Sequence, residues 1–92
     1  VPLRLKLRVA PKTMFHFRER PLSADQEEVP PEGDETWFIV TATVPRTWLL
    51  TPFLISLGRW IEVLEPAELR AEAAKWVEGM WAHYAPDNGR GR

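Results

Sequence analysis

The stretch "LRLKLRV" at residues 3–9 alternates strictly between apolar and basic side chains. This period of two is typical of a half-buried β-strand, because successive side chains point to opposite faces of a sheet. The apolar residues are therefore expected to face a core, and Arg4, Lys6 and Arg8 to stand in a row on the other face. Like charges in a row repel each other. Either acidic residues on neighbouring strands neutralise this row, or an anionic partner binds it.

Three further segments are predicted to form strands. The clearest is "TWFIVTATV" at residues 36–44, because it is rich in β-branched and aromatic residues. A short strand at 25–29 precedes it, and the turn "PEGDE" at 31–35 joins the two into a predicted hairpin. The segment "RWIEVLEP" at 59–66 is predicted to form the fourth strand, with Ile61 and Val63 facing inward.

Helical patterns lie between and after these strands, at residues 13–19, 46–58 and 66–84. Within the second of them, either the helix kinks at Pro52, or Thr51 caps a fresh start with Pro52 at its first position. Gly58 is expected to end this helix as a C-terminal cap.

The last helix has the most regular apolar pattern. Trp81 lies at the edge of its apolar stripe, where it either covers the core or protrudes toward a partner. The stripe is predicted to pack on the core and has a spacing of three and four residues: Leu69, Ala73, Trp76, Val77, Met80 and Tyr84.

The resulting order β-α-β-β-α-β-α predicts an α+β fold, a ferredoxin-like βαββαβ sandwich with an added C-terminal helix. In this arrangement the first and third strands form the central pair. The fourth strand then lies beside the first, and the second beside the third. Helices cover one face of such a sheet, and the other face stays open unless another element covers it.

Length and composition indicate one small domain. We expect it to span residues 1–85, followed by a flexible tail at 86–92, and we expect the chain to be a fragment of a longer protein because it starts without methionine. There is no cysteine, which excludes a disulfide framework and thiolate metal sites. No signal peptide or apolar run of about 20 residues is visible, so the sequence predicts a soluble, cytoplasmic protein.

No catalytic constellation is visible in the chain. The two histidines, His16 and His83, are far apart and have no carboxylate at metal-ligand spacing. Ser23 and Ser56 are not surrounded by a nucleophile elbow. The sequence therefore predicts a protein that is not an enzyme and that holds neither a metal nor a cofactor.

The open face of the sheet is the candidate ligand-binding surface. Three cations beside Trp37 resemble a site for single-stranded nucleic acid, in which phosphates meet the charges and bases stack on indole rings. Alternatively, Glu62 and the acidic residues of 25–28 pair with the cations, or a neighbouring domain docks there. Trp37, Trp60 and Trp81 are interface candidates, whereas Trp48 and Trp76 are expected to be core residues.

The second half of the chain resembles the C-terminal extension, of the WCX type, of bacterial WYL-domain transcriptional regulators. The residues that carry the resemblance are "SLG" at 56–58, "EVLEP" at 62–66, "ELR" at 68–70 and Tyr84. Phe53 stands where the family often has Trp. The layout of the opening strand and of the acidic turn before the hairpin also matches, so that the resemblance covers residues 3–85.

The resemblance implies a ferredoxin-like extension that follows a winged helix-turn-helix and a WYL domain of Sm-like barrel type. It implies a regulatory role in effector sensing and in homodimerisation, with single-stranded DNA as the effector in some members. Basic residues on the exposed sheet, here Arg4, Lys6 and Arg8, would bind the effector. The alternative hypothesis is a free-standing domain that binds single-stranded nucleic acid in the manner of RNA-recognition domains, although its first strand lacks aromatic residues on the open face.

Overall fold

The computed structural model describes residues 2–86 as a four-stranded antiparallel sheet with three α-helices. Single 3₁₀ turns precede α1 and β4. The predicted α+β class is confirmed, and most of the tail at 86–92 lies outside the described residues. The elements are β1 (Pro2–Val9), α1 (Met14–Glu19), β2 (Glu27–Val29), β3 (Phe38–Pro45), α2 (Leu50–Ser56), β4 (Ile61–Glu65) and α3 (Ala67–Tyr84).

The strands lie in the order β2-β3-β1-β4. β1 and β3 therefore form the central pair, as the element order predicted, and Leu7 lies opposite Val40 of β3. On its other edge β1 pairs with β4, where Leu7 lies opposite Val63 and the register shifts between Lys6 and Leu7.

The core lies on one face of the sheet, beneath the helices. Alternate residues of β1 and β3 are buried there, and each α-helix adds buried side chains. The opposite face holds the intervening positions of the two central strands, most of them polar, and no helix within residues 2–86 packs on it. The buried apolar side chains of the cluster are Leu5, Leu7, Val9, Met14, Phe17, Val40, Ala42, Val44, Leu50, Leu54, Val63 and Leu69.

The start of α2 differs from the prediction. β3 continues through Pro45, and the helix begins only at Leu50. Pro52 lies in the first turn, where backbone N–H groups have no intrahelical acceptor, so its missing N–H has little effect. Thr51 lies inside the helix, and Leu49 rather than Thr51 occupies the N-cap position. Gly58 follows the helix with a φ of 66° and ends it as predicted.

The predicted burial of the whole α3 stripe is wrong. Leu69 is buried and Ala73 packs against the core, but the apolar residues from Trp76 onward are exposed. The reason is length: α3 has 18 residues and is about 27 Å long, whereas α2 beneath it has seven and is about 10 Å long. Trp48 is also exposed, so neither it nor Trp76 is a core residue.

Within the described residues, no helix combines the length and the apolar character that crossing a bilayer requires.

Candidate ligand-binding site on the open sheet face

The basic row of β1 lies on the open face of the sheet, as its alternation predicted. Arg4 and Lys6 lie opposite Thr43 and Thr41 of β3, and Arg8 lies opposite Ile39. All three cations are partly exposed to solvent. Because β1 is a central strand, acidic residues from both flanking regions of the sheet can reach the row.

Arg4 is held by two carboxylates and two hydroxyl groups. Its Nη1 lies 3.0 Å from Asp25 Oδ2, and its Nη2 lies 3.3 Å from Glu27 Oε1. The same nitrogens donate to the Oγ1 atoms of Thr43 and Thr41, at 3.2 and 3.1 Å. The predicted pairing with acidic residues of 25–28 is therefore confirmed for this cation.

The other two cations of the row pair with β4. Arg8 Nη1 lies 3.3 Å from Glu62 Oε1, which confirms the predicted partner, and Lys6 Nζ lies 3.8 Å from Glu65 Oε2. Glu62 also accepts a hydrogen bond of 2.7 Å from Arg70 of α3. The exposed pairs of Arg4 and Lys6 contribute only about 0–1 kcal/mol each, whereas the pair of Arg8 and Glu62 is partly buried. The row is thus neutralised by carboxylates from β4 and from the segment that contains β2.

Asp25 has the most perturbed carboxylate on this face. Its Oδ1 accepts hydrogen bonds from the Ser23 hydroxyl and from the Thr43 backbone N–H, the latter at 2.9 Å, and its Oδ2 faces Arg4. These donors favour the ionised form. Together they hold the pKa of Asp25 well below its usual range. The hydrogen bond from Ser23 has the largest effect on this pKa, the hydrogen bonds from Thr43 come next, and the charge of Arg4 has the smallest effect.

We expect Asp25 to stabilise the fold in a pH-dependent manner. Its pKa is lower in the folded than in the unfolded chain, so the stabilisation is complete above about pH 4 and is lost as the pH falls below it. In urea unfolding, Asp25→Asn should be less stable than wild type at pH 7, and the difference should narrow below pH 4. A difference that stays constant down to pH 2 would contradict this account.

A second pair of cations lies where β1 ends and β4 begins. The Lys12 Nζ is 3.9 Å, and the Arg59 Cζ 4.7 Å, from the centroid of the Trp60 ring. A backbone hydrogen bond of 2.8 Å from Ala10 to Trp60 holds the two chain segments together. Within residues 2–86, neither cation forms an ion pair with a carboxylate. Both cations therefore remain available to an anion.

Sequence reasoning missed this pair. Lys12 and Arg59 are 47 positions apart, and they converge on one indole only because β4 pairs with β1. The signal that could have found them was the predicted strand order, which places the residue after β1 close to the start of β4.

The three tryptophans proposed as interface residues lie at separate places. Trp37 is half-buried beneath Arg8, whose Cζ lies 4.2 Å from the ring centroid. Its ring lines a cleft of about 310 Å³ beside Pro30 and Pro31. Trp60 is half-buried under its two cations, and Trp81 projects from α3 into solvent. The roles of these residues, and of the basic row, remain predictions.

Glu27 and Glu28 point to opposite faces of the sheet, as expected for neighbours on a strand. Glu27 pairs with Arg4 on the open face, whereas Glu28 accepts three hydrogen bonds from Arg18 of α1, the shortest of them 2.8 Å. Within the described part of the chain, no group of three or more His, Cys, Asp or Glu side chains has metal-binding geometry. The open face of the sheet offers charged groups from β1 and the aromatic ring of Trp37.

Comparison with known proteins adds a family match. The model of the family described as "WCX domain" matches residues 2–81, which include all four strands and all but the last turn of α3. No curated protein matches the chain.

Proposed function

This chain belongs to the WCX domain family, and from that premise we propose that it is the regulatory, non-catalytic C-terminal module of a WYL-type transcriptional regulator. In this role it binds an anionic effector on the open face of its sheet and contributes to a homodimer. The remaining parts of such a regulator, a helix-turn-helix and a WYL domain, would act on DNA in the cytoplasm.

The observation that carries the effector proposal is the state of the cations. Arg4, Lys6 and Arg8 are held by exposed or partly exposed carboxylates, whereas Lys12 and Arg59 pair with no carboxylate among residues 2–86. A phosphate can therefore bind first at the free pair. It can then displace weakly held carboxylates along the row, where arginine offers a bidentate fork. Single-stranded nucleic acid or a nucleotide fits this chemistry.

The alternative, a free-standing domain of the RNA-recognition type, is less well supported. Such domains stack bases on aromatic rings of the central strands. Here the open face of β1 carries three cations and no aromatic ring, and Arg8 lies over Trp37 while Lys12 lies over Trp60. The rings available on this face are thus already in contact with cations.

We also propose to class the fold as ferredoxin-like. The order β2-β3-β1-β4, the antiparallel pairing and the placement of the helices on one face support this class. The long α3 is then the addition to the common βαββαβ unit.

The effector proposal predicts that the free cation pair dominates binding. Lys12→Ala/Arg59→Ala should weaken binding of a short single-stranded DNA, measured by fluorescence anisotropy. It should also make the negative slope of log K against log salt concentration shallower by about 1.4, since each phosphate contact with single-stranded DNA contributes about 0.7 to its magnitude. Arg4→Ala/Lys6→Ala/Arg8→Ala should weaken binding as well, because it leaves carboxylates facing the ligand.

A matched control distinguishes the loss of a specific binding site from a general effect of the protein's net charge. Arg18→Ala/Arg46→Ala removes two cations that pair with Glu28 and Glu68 on the helix side. It should leave both affinity and salt slope close to wild type. Equal losses in the control and in the Lys12/Arg59 variant would count against an effector site on the open face.

A further inference from the structure

A hollow with polar walls lies on the helix side of the sheet, between the segment that joins β3 to α2 and the helix α3. Its volume is about 350 Å³, which lies within the range of small-molecule pockets. Trp48 of the joining segment and Trp76 of α3 line it, and these residues are 83% and 44% exposed. Trp48 in particular buries little apolar surface, so the stability of the core does not account for it.

Glu72 of α3 supplies this hollow with a negative charge. Its Oε2 accepts a hydrogen bond from the hydroxyl group of Thr51, which is only 4% exposed and also lines the hollow. This bond holds the carboxylate in place, and a carboxylate can accept further hydrogen bonds through its second oxygen. Within residues 2–86, Glu72 forms no ion pair with a lysine or an arginine. Its charge is therefore uncompensated by the protein.

The cation that lines the hollow, Arg46, already has a partner. Its Nη1 lies 3.0 Å from Glu68 Oε1. Arg46, Glu68 and Glu72 together carry one positive and two negative charges. An anionic ligand would therefore meet net repulsion in this hollow, whereas a cationic ligand would be attracted.

The two indole rings of the hollow also favour a cation. The face of an aromatic ring is negative, and among aromatic side chains that of tryptophan binds a cation most strongly. The rings of Trp37 and Trp60 already contact cations of the chain, whereas no lysine or arginine of the described residues lies over Trp48 or Trp76. The hollow thus combines two available indole rings with an uncompensated carboxylate.

We propose that this hollow binds a small organic cation that carries an alkylammonium group. Trp48 and Trp76 contact the cation with their rings, and Glu72 compensates its charge. Leu50 and Leu69, which also line the hollow, contact its alkyl part. Aromatic rings arranged around a cation are a common means of recognising quaternary ammonium groups. The site is independent of the basic row, because it lies on the helix side of the sheet.

The test titrates choline into the 92-residue chain and follows the indole N–H signals of its five tryptophans by heteronuclear NMR. The signals of Trp48 and Trp76 should shift in a saturable manner with a millimolar Kd, and those of Trp37, Trp60 and Trp81 should not. The neutral isostere of choline, in which carbon replaces the quaternary nitrogen, has the same shape without the charge. It should bind at least about 10-fold more weakly, because it lacks the attraction to two rings and to a carboxylate.

Variants of the hollow identify the groups that bind the cation. Trp48→Ala and Glu72→Gln should each weaken choline binding about 5-fold. Glutamine keeps an oxygen that can accept the hydrogen bond from Thr51, and Trp48 is exposed, so circular dichroism should show the wild-type fold in both variants. Trp81→Ala is the matched control, because it removes an exposed indole of α3 that lines a different hollow. This variant should bind choline as wild type does.

Two outcomes would overturn the proposal. If millimolar choline shifts neither the Trp48 nor the Trp76 signal, the hollow does not bind an alkylammonium ion. If choline and its neutral isostere bind equally well, the hollow takes an apolar molecule and charge has no role. Lys12→Ala/Arg59→Ala, which tests the effector proposal, should leave choline binding unchanged, so that the two proposals can fail separately.

Discussion

Leu7→Ala is expected to lower the free energy of unfolding by about 3–5 kcal/mol. Leu7 is fully buried in the central strand β1 and faces Val40 on one side and Val63 on the other. Hydrogen bonds to β3 and β4 hold the strand in place, so the cavity left by the leucine side chain cannot collapse. A domain of this size has a total stability of only about 5–14 kcal/mol. Urea denaturation followed by tryptophan fluorescence would measure the loss.

Val29→Ala is the appropriate control for this prediction. Val29 lies on the edge strand β2 and is exposed. Its truncation removes little buried surface, and the expected loss is below about 0.5 kcal/mol. Similar losses for the two variants would show that the core does not lie where the structure places it.

Leu69→Ala is expected to cost about 2.7–5 kcal/mol, and its effect should be concentrated in α3. Leu69 is the one residue of α3 that is buried in the core. Ala73 adds only a small apolar contact with the core. The polar contacts of the helix include the ion pairs of Arg46 with Glu68 at 3.0 Å and of Arg70 with Glu62, and a hydrogen bond from Thr51 to Glu72. These contacts are expected to be too weak to hold an 18-residue helix on the domain without Leu69.

Amide hydrogen exchange tests this prediction most directly. In Leu69→Ala, the amides of α3 should lose protection first, while those of β1 and β3 keep most of theirs. Val77→Ala is the control, because Val77 lies in the same helix but is exposed. If α3 keeps its wild-type protection in Leu69→Ala, contacts other than Leu69 attach the helix.

Much of the candidate site could be predicted from the sequence. The alternation of residues 3–9 placed Arg4, Lys6 and Arg8 on one face, and the order of elements predicted β1 and β3 as the central pair. These inferences succeeded because they depend on backbone periodicity, which is a local property of the chain. The pairing of Arg8 with Glu62 followed from the same strand order.

Other features of the site could not be predicted. The register shift between Lys6 and Leu7 sets Lys6 opposite Glu65, and such an irregularity belongs to the pairing of two strands, so neither strand's sequence fixes it alone. The convergence of Lys12 and Arg59 on Trp60 likewise depends on where two distant segments end.

The sequence by itself determined which elements form and which face of each is apolar, because both depend on residue type and on spacing along the chain. Only the tertiary structure decided how much of each apolar face is covered. The stripe of α3 is regular from Leu69 to Tyr84, yet its cover ends at Ala73 because α2 beneath it is much shorter. Burial depends on the relative lengths and placement of packed elements, and so the exposed end of α3 became visible only in the folded domain.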